Sequence, residues 1–323
     1  MTTLAIDRYL PPGFLHESLA RDARAGLTAT PKTLPPKWFY DETGSELFEQ
    51  ITRLCEYYPT RAEREILSSR SPEIVAMADA DTLVELGSGS SEKTRLLLDA
   101  MRAVDRLDRY VPVDVSESAV VAAAEALRGD YPTLAVHAIV ADFEHQLDLL
   151  PREGRRLVAF LGGTIGNFEP EPRLAFLRTL REVTGEHDTL LVGTDLVKSP
   201  DLLLPAYDDA KGVTAAFNRN VLYVINRELK ADFAPEAFAH VAVWDEEREW
   251  IEMRLRSTRD QRVHIAALDL SVDFADGEEV RTEVSAKFRR ETLREDLEAA
   301  GFMLQHWWTD AGSRFALSLA RPV

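Results

Sequence analysis

The segment at 82–94 constrains the fold of this chain more than any other. It reads TLVELGSGSSEKT, an apolar run that ends in an acid and is followed by paired glycines. This order is typical of a buried strand that leads into a nucleotide-binding turn, in which Gly87 and Gly89 let the backbone approach a ligand closely. A second predicted strand, at 110–114, ends in Asp114, and an acid in that place typically holds ribose hydroxyls.

The turn lacks the marks of two common nucleotide-binding motifs. Glu92 stands where the dinucleotide pattern Gly-x-Gly-x-x-Gly has its third glycine, and the Gly-Lys-Ser/Thr of a phosphate loop is absent from the segment. An adenosine without a pyrophosphate fits better. The residues alone therefore leave two interpretations open, a tight turn with a structural role and a turn that binds S-adenosylmethionine.

Charge and composition exclude several classes of partner. A net charge of -17 would repel a phosphate backbone, so we expect no nucleic-acid substrate. No apolar run approaches the roughly 18 residues that span a bilayer, so we expect no membrane partner. The histidines form no pair with metal-ligand spacing, and we predict no metal site. With one cysteine, Cys55, the chain has no internal disulfide, which predicts a reduced, cytoplasmic location.

Strands and helices alternate from residue 82 onward, which predicts a parallel sheet. The expected strands lie near 82–87, 110–114, 134–140, 156–161 and 189–194. Expected helices lie near 92–103, near 117–128 and from about 170. A helix at about 292–301 and a hairpin of strands at 302–308 and 315–319 then close the sheet edge. Five parallel strands with a C-terminal antiparallel hairpin resemble the class I methyltransferase fold, an α/β, Rossmann-like architecture.

The remaining segments do not follow this rhythm and predict a second domain. We assign 61–199 and 287–323 to the methyltransferase domain that binds S-adenosylmethionine. We assign 1–60 and 200–286 to an α+β substrate-binding domain built from two pieces. Ser199-Pro200 marks the outward junction, and the return falls near Lys287-Phe288-Arg289.

Aromatic and hydroxyl-rich motifs outside the glycine turn identify a family. They closely resemble the histidine Nα-methyltransferases of ergothioneine biosynthesis, over nearly the whole chain. The matching motifs are Lys37-Trp38-Phe39-Tyr40-Asp41, Glu56-Tyr57-Tyr58-Pro59-Thr60-Arg61, Gly87-Ser88-Gly89-x-Ser91-Glu92-Lys93-Thr94, Thr164-Ile165-Gly166-Asn167, Gly193-Thr194-Asp195-Leu196-Val197-Lys198, Phe217-Asn218-Arg219-Asn220 and Thr282-Glu283-Val284-Ser285.

The resemblance implies a cofactor site and a substrate site. S-adenosylmethionine would be bound by Gly87, Lys93, Asp114, Asp142 and Phe143. The substrate carboxylate would be held by Asn167 and Tyr207, and the imidazole by Tyr57, Glu283 and Ser285, with Met253, Phe48 and Tyr40 lining the pocket. The implied activity is the trimethylation of the α-amino group of L-histidine to hercynine. Tyr40 is the catalytic candidate, because its ring can contact the methylated amine.

Each site residue also has an ordinary structural interpretation. From spacing alone, core aromatics are the better interpretation of Tyr40, Phe48 and Tyr57, and the family match reverses this for Tyr57. Asp114 is consistent with a helix cap and Glu283 with a solvated strand acid. The histidines, His240 among them, receive no catalytic role. Two other functions stay open: an Nα-methyltransferase for another aromatic amino acid such as tryptophan, and a non-catalytic module that binds S-adenosylmethionine. We expect a monomer.

Overall fold

The computed structural model describes residues 4–89 and 91–323. Its strands are β1 (Leu4–Arg8), β2 (Lys32–Thr33), β3 (Thr82–Leu86), β4 (Arg109–Asp114), β5 (Ala135–Val140), β6 (Arg156–Phe160), β7 (Thr189–Asp195), β8 (Phe238–Asp245), β9 (Trp250–Ser257), β10 (Gln261–Ile265), β11 (Leu270–Phe274), β12 (Glu279–Ala286), β13 (Phe302–Thr309) and β14 (Phe315–Pro322). Its helices are α1 (Phe14–Thr28), α2 (Glu42–Thr52), α3 (Pro59–Ala78), α4 (Arg95–Ala103), α5 (Glu117–Asp130), α6 (Pro170–Val183), α7 (Pro200–Tyr207), α8 (Val213–Leu229) and α9 (Arg290–Ala299).

The chain divides into two compact units. Unit 1 comprises the described parts of 1–11, 59–197 and 287–323, and unit 2 comprises 12–58 and 198–286. Where the chain leaves and re-enters unit 1, the Lys287 ammonium lies 3.0 Å from an Asp195 carboxylate oxygen, and both side chains are buried. The Phe288 N–H also donates to the Asp195 carbonyl at 2.8 Å. This buried pair therefore ties the two crossing segments to each other within unit 1.

Unit 1 is built on an eight-stranded sheet. The strand order is β1-β5-β4-β3-β6-β7-β14-β13. Neighbours from β1 to β7 pair in parallel, whereas β14 pairs antiparallel with β7 and with β13. Because parallel strands end at the same sheet edge, the carboxyl ends of β3 to β7 lie together there. The chain order reverses between β3 and β6, and such a switch point is where open α/β sheets bind ligands.

The alternation of strands and helices from residue 82 is confirmed, and so are the closing helix and hairpin. The central strands β3, β6 and β7 are buried over their whole length, as continuous apolar runs in a parallel sheet require. The first helix after the glycine turn begins at Arg95, later than the expected residue 92.

Strand β1 departs from the expectation. The sequence placed all of 1–60 in the second domain and counted five parallel strands, but Leu4–Arg8 pairs in parallel with β5 and adds a sixth. Asp7 fixes the register, since its carboxylate lies 2.8 Å from His137 Nε2. The strand is short and half-buried, so its sequence carries too little periodicity to reveal that it covers the open edge of β5.

Unit 2 combines helices with a small sheet. Its four strands have the order β2-β12-β9-β8, and β12, β9 and β8 are antiparallel neighbours. Hairpin β10-β11 forms a separate sheet. Helices α1, α2, α7 and α8 belong to this unit, and its core includes Phe39, Phe217, Phe238 and Phe274.

Within 4–89 and 91–323, no helix is both long enough and apolar enough to span a membrane.

We predict that Gly44→Ala destabilises the protein. A Cβ at residue 44 would lie 1.6 Å from the backbone carbonyl oxygen of Phe39, in the segment that carries Tyr40. That oxygen also accepts a hydrogen bond from Asn220 Nδ2 at 3.0 Å, so it is not free to shift. We expect a loss of about 3 kcal/mol in the free energy of unfolding, measured by urea denaturation.

Gly129→Ala is the matched control for this substitution. Gly129 lies in α5, and a Cβ there meets nothing within 4 Å. We expect its stability to match or exceed that of the unchanged protein, because alanine is the better helix former. Equal stabilities of the two variants would contradict the close approach at Gly44.

Candidate active site

The glycine turn after β3 is fastened to the end of β4. The N–H groups of Gly87 and Ser88 donate to the Val113 carbonyl at 2.9 and 3.2 Å, and the Gly89 N–H donates to Asp114 Oδ2 at 3.0 Å. Gly87 and Gly89 have positive φ values of 67° and 49°, which other residues rarely adopt. Residues 87–89 of the turn are thus held against the end of β4, and Gly87 is exposed.

Asp114 has capacity left for a ligand. Its Oδ1 accepts the Ser116 N–H at 3.0 Å and its Oδ2 accepts the Gly89 N–H, so each oxygen keeps a further lone pair. Burial raises the pKa of Asp114 above its ordinary value, while these backbone hydrogen bonds act in the opposite direction. The helix-capping interpretation and the ribose-binding interpretation are therefore compatible.

The loop after β5 lies against the same turn. A Cβ added at Gly87 would lie 3.6 Å from the Phe143 ring. Asp142 is buried, and its Oδ1 accepts the Glu144 N–H at 2.9 Å. Within the described residues the buried Ser88 hydroxyl has no hydrogen-bond partner. Open backbone, two carboxylates, an aromatic face and an unused hydroxyl fit a nucleoside such as that of S-adenosylmethionine.

Lys93 takes part in a buried cluster that the sequence did not reveal. Its ammonium forms an ion pair with Glu63 of α3, whose side chain is 1% exposed. The other oxygen of Glu63 accepts the Gly162 N–H at 2.8 Å. Glu63 therefore connects the turn after β3 with the turn after β6. The one available signal was its place on the apolar face of α3, next to buried Ala62 and Ile66.

The acid that ends the first apolar run also lies beneath the turn. Glu85 is buried, accepts a hydrogen bond from Thr94, and accepts another from the Tyr110 hydroxyl at 2.5 Å. The Ser91 hydroxyl lies 2.8 Å from the same Tyr110 oxygen. Burial raises the pKa of Glu85 to about 7, although the hydrogen bonds from Thr94 and Tyr110 favour its charged form.

Asn167 lies in unit 1, within the 3-10 turn Thr164–Asn167 that follows β6. The turn is entered through Gly163, which has a φ of 73°. The Thr164 hydroxyl donates to the Leu161 carbonyl at 3.0 Å, which fixes the start of the turn. Asn167 is half-buried and belongs to the same sheet edge as Gly87, Asp114 and Asp142.

Several aromatic rings of unit 2 form one group, in which Phe39 lies 4.8 Å from Phe217. Phe48 lies edge-on to Tyr40 and to Tyr57, with centroid distances of 5.5 and 6.2 Å. Phe217 of α8 lies 5.3 Å from Tyr40 and 5.9 Å from Phe48. Tyr40 is 39% exposed, so part of its ring is accessible at the edge of this group.

Polar substrate candidates adjoin each other on α7, β9 and β12. The hydroxyls of Tyr207 and Ser285 are 2.8 Å apart. Glu283 and Met253 are direct cross-strand partners, and the pairing of β12 with β9 shifts register between Arg281 and Glu283. Met253 is buried, whereas Glu283 is half-buried.

The predicted site residues therefore fall into two sets. Unit 1 contains Gly87, Lys93, Asp114, Asp142, Phe143 and Asn167, and unit 2 contains Tyr40, Phe48, Tyr57, Tyr207, Met253, Glu283 and Ser285. Asn167 and Tyr207, which the resemblance assigns to the same carboxylate, belong to different units. Their ligand roles stay predictions. Within the described residues no cluster of metal-ligating side chains occurs.

Comparison with known proteins gives a consistent result. A family model described as "Histidine-specific methyltransferase, SAM-dependent" matches residues 19–322. A "Histidine N-alpha-methyltransferase" of Mycolicibacterium smegmatis is 58% identical over 318 residues, covering 98% of this chain and 99% of that protein. The "Ergothioneine biosynthesis protein 1" of Schizosaccharomyces pombe is 32% identical over 226 residues, or 66% of this chain and 29% of that protein.

A solved structure resembles the fold. The PH0226 protein from Pyrococcus horikoshii OT3 matches with a TM-score of 0.51 and 15% identity, over 88% of this chain and all of that chain. This likeness concerns the fold alone.

We predict that Glu85→Gln changes how stability depends on pH. A carboxyl whose pKa rises from 4.5 in the unfolded chain to about 7 in the folded chain keeps its proton longer when folded. The folded state of the unchanged protein therefore loses up to about 3 kcal/mol of stability as pH rises from 4.5 to about 7. Above that pH, Glu85 causes no further loss. Glutamine removes this titration.

The measurement is the free energy of unfolding of both proteins between pH 5 and pH 8, by urea denaturation. All other titrations cancel in the difference between the two proteins. The stability of Glu85→Gln relative to the unchanged protein should increase as pH rises. A difference that stays constant with pH would show that Glu85 is ionised in the folded state throughout this pH range.

Proposed function

This chain belongs to the family of histidine-specific, S-adenosylmethionine-dependent methyltransferases, and we propose that it methylates the α-amino group of L-histidine three times, giving the betaine hercynine. The match to a histidine Nα-methyltransferase over 98% of the chain is the observation that carries this proposal. The matched "Ergothioneine biosynthesis protein 1" supports a place in ergothioneine synthesis, and we propose that this place is its first step.

S-adenosylmethionine is the methyl donor, and when bound it supplies an electrophilic methyl group on a sulfonium. We propose that Asp114 accepts hydrogen bonds from the ribose hydroxyls of S-adenosylmethionine, and that Asp142 and Phe143 bind its adenine. The glycine turn at Gly87 would allow the close approach. The Lys93 ammonium would attract the carboxylate of S-adenosylmethionine, which is the anionic group of this methyl donor.

We propose that different side chains bind the imidazole and the carboxylate of histidine. Glu283 and Ser285 would hydrogen-bond to the imidazole from one side, and the Tyr57 phenol from the other. One side would thus offer the ring nitrogens an acceptor and the other a donor. Tyr207 and Asn167 would hold the carboxylate. The 2.8 Å contact between the Tyr207 and Ser285 hydroxyls supports one continuous polar surface for both ends of the substrate within unit 2.

Catalysis would rest mainly on positioning. The chain has to align the amine nitrogen with the methyl carbon and the sulfur, and exclude water from the reacting atoms. The amine must lose a proton before each transfer, since a free amine is protonated near neutral pH. The partly exposed Tyr40 ring would contact the growing methylammonium, a contact of about 0.5–1 kcal/mol at an accessible site.

Three finer statements belong to the same proposal. We propose that the protein acts in the cytoplasm and works as a monomer. Its single cysteine, Cys55, suits a reducing compartment. The net charge of -17 supports a small-molecule substrate over nucleic acid.

Purified protein, S-adenosylmethionine and L-histidine should give a product about 42 mass units heavier than histidine, which is the increment for three methyl transfers. Mass spectrometry and the release of S-adenosylhomocysteine measure it. Histamine should give no product, because it lacks the carboxylate for Tyr207 and Asn167. Tight binding of S-adenosylmethionine without turnover of any amino acid would favour the non-catalytic module instead.

Glu283→Ala should raise the KM for histidine by about tenfold or more, because the imidazole then lacks its carboxylate partner. The dissociation constant of S-adenosylhomocysteine should stay within about twofold. Glu279→Ala is the matched control, since Glu279 lies on the same strand and pairs with Arg254 and Arg256.

The results of these variants also separate the alternatives. A parallel loss of affinity for histidine and for S-adenosylhomocysteine would indicate a structural role for Glu283. Faster turnover of tryptophan than of histidine by the unchanged protein would favour the alternative aromatic amino acid, for which Glu283 and Met253 are the discriminating positions.

A further inference from the structure

Thr282 precedes Glu283 and occupies the register shift between β12 and β9. Arg281 pairs with Arg254 and Glu283 pairs with Met253, so Thr282 is the extra residue of a bulge. Such bulges re-aim the side chains of a strand. Thr282 is 0% exposed, and its hydroxyl lies 2.6 Å from Asn218 Oδ1 and 3.0 Å from the Met253 carbonyl. The bulge is therefore held by buried hydrogen bonds.

Asn218 of α8 connects Thr282 with strand β8. Its side chain is 0% exposed, and its Nδ2 donates to His240 Nδ1 at 2.8 Å and to the Arg254 carbonyl at 3.1 Å. Its Oδ1 accepts from Thr282. Rotating the amide by 180° would turn the oxygen toward two acceptors, so this network admits one orientation of Asn218.

His240 of β8 continues the chain of hydrogen bonds. The Tyr207 carbonyl can only accept, so the ring proton resides on Nε2, 2.8 Å from that carbonyl, and Nδ1 accepts from Asn218. The imidazole is 2% exposed, and burial lowers its pKa, which agrees with a neutral ring. The charged groups nearby are Asp208 and Asp209, and Arg219 of α8.

Three proposed substrate residues have their backbones fixed by this network. The carbonyl of Arg254, which follows Met253, accepts from Asn218, the Tyr207 carbonyl accepts from His240, and Glu283 follows Thr282 directly. Each of the three lies on a different element, namely β9, the end of α7 and β12. The network therefore joins the three segments that the proposed histidine pocket needs at fixed spacing.

We propose that Thr282, Asn218 and His240 form a positioning network that sets the placement of Glu283 and Tyr207 for histidine recognition. This inference rests on the proposed function and deepens it. Neither Asn218 nor His240 contacts substrate in this scheme. They act through the backbone they hold, and small displacements of binding groups are costly to an enzyme that works by alignment.

The test compares Thr282→Val with Thr282→Ser. Valine keeps the shape of threonine and removes the hydroxyl, whereas serine keeps the hydroxyl and removes the methyl group. We expect Thr282→Val to raise the KM for histidine by about tenfold and to leave the dissociation constant of S-adenosylhomocysteine within about twofold. Thr282→Ser should stay within about threefold of the unchanged protein in both constants, although it loses a buried methyl group.

A second variant tests the other end of the network. His240→Gln keeps a donor for the Tyr207 carbonyl but removes the ring nitrogen that accepts from Asn218 Nδ2, so it should also raise the KM for histidine. In the double variant of Thr282→Val and His240→Gln, the rise in KM should be smaller than the product of the two single effects, because both changes break one network. If Thr282→Val folds poorly, His240→Gln alone decides the question, by whether the KM for histidine rises while the dissociation constant of S-adenosylhomocysteine stays within about twofold.

The outcomes are distinguishable from failure of the proposed function. If the unchanged protein does not methylate histidine, the proposed function falls and this inference falls with it. If it methylates histidine, but the KM values of Thr282→Val and Thr282→Ser agree or the double variant shows the full product, the network is only a structural element of unit 2.

Discussion

The cofactor side of this molecule depends on two carboxylates that are buried beneath the glycine turn. Glu85 holds Thr94 and Tyr110, and Glu63 holds Lys93 and the Gly162 N–H. A buried carboxylate is costly unless its oxygens are hydrogen-bonded, so these partners have to stay where they are. The turns after β3 and β6 are thereby fixed to each other, and the adjoining backbone of the glycine turn is left open to a ligand.

Much of the fold followed from local patterns, and its exceptions have physical causes. Buried parallel strands read as continuous apolar runs, so β3 to β7 and the closing hairpin were predictable. Strand β1 was not, because five half-buried or exposed residues acquire strand structure from the open edge of β5. Glu63 was missed for a related reason. A carboxylate on an apolar helix face becomes meaningful only when its partners, distant in sequence, are known.

The predictions for the candidate site were reached by a different route. Spacing alone left Tyr40 and Glu283 with ordinary structural interpretations, and the family motifs gave them ligand roles, whereas the place of Asp114 at the end of a strand already indicated ribose binding. The structure adds geometry within each unit, such as the pairing of Tyr207 with Ser285. It also gives Asn218 and His240 a place in one network, although the sequence showed Asn218 only as part of a motif and His240 as an isolated histidine.

Strand β12 explains why a specific pocket can be built on so small a sheet. Successive side chains of a strand point to opposite faces, so one strand can bury Thr282 in a network and leave Glu283 partly accessible. Fixing Thr282 removes rotational and sliding freedom from the neighbouring residue before any ligand arrives. A carboxylate held in this way can discriminate between amino acids, since a substrate without a matching donor leaves it unpaired, and a mobile carboxylate would simply turn toward water. The selectivity of Glu283 would therefore derive from the rigidity of the buried polar groups behind it as much as from its own charge.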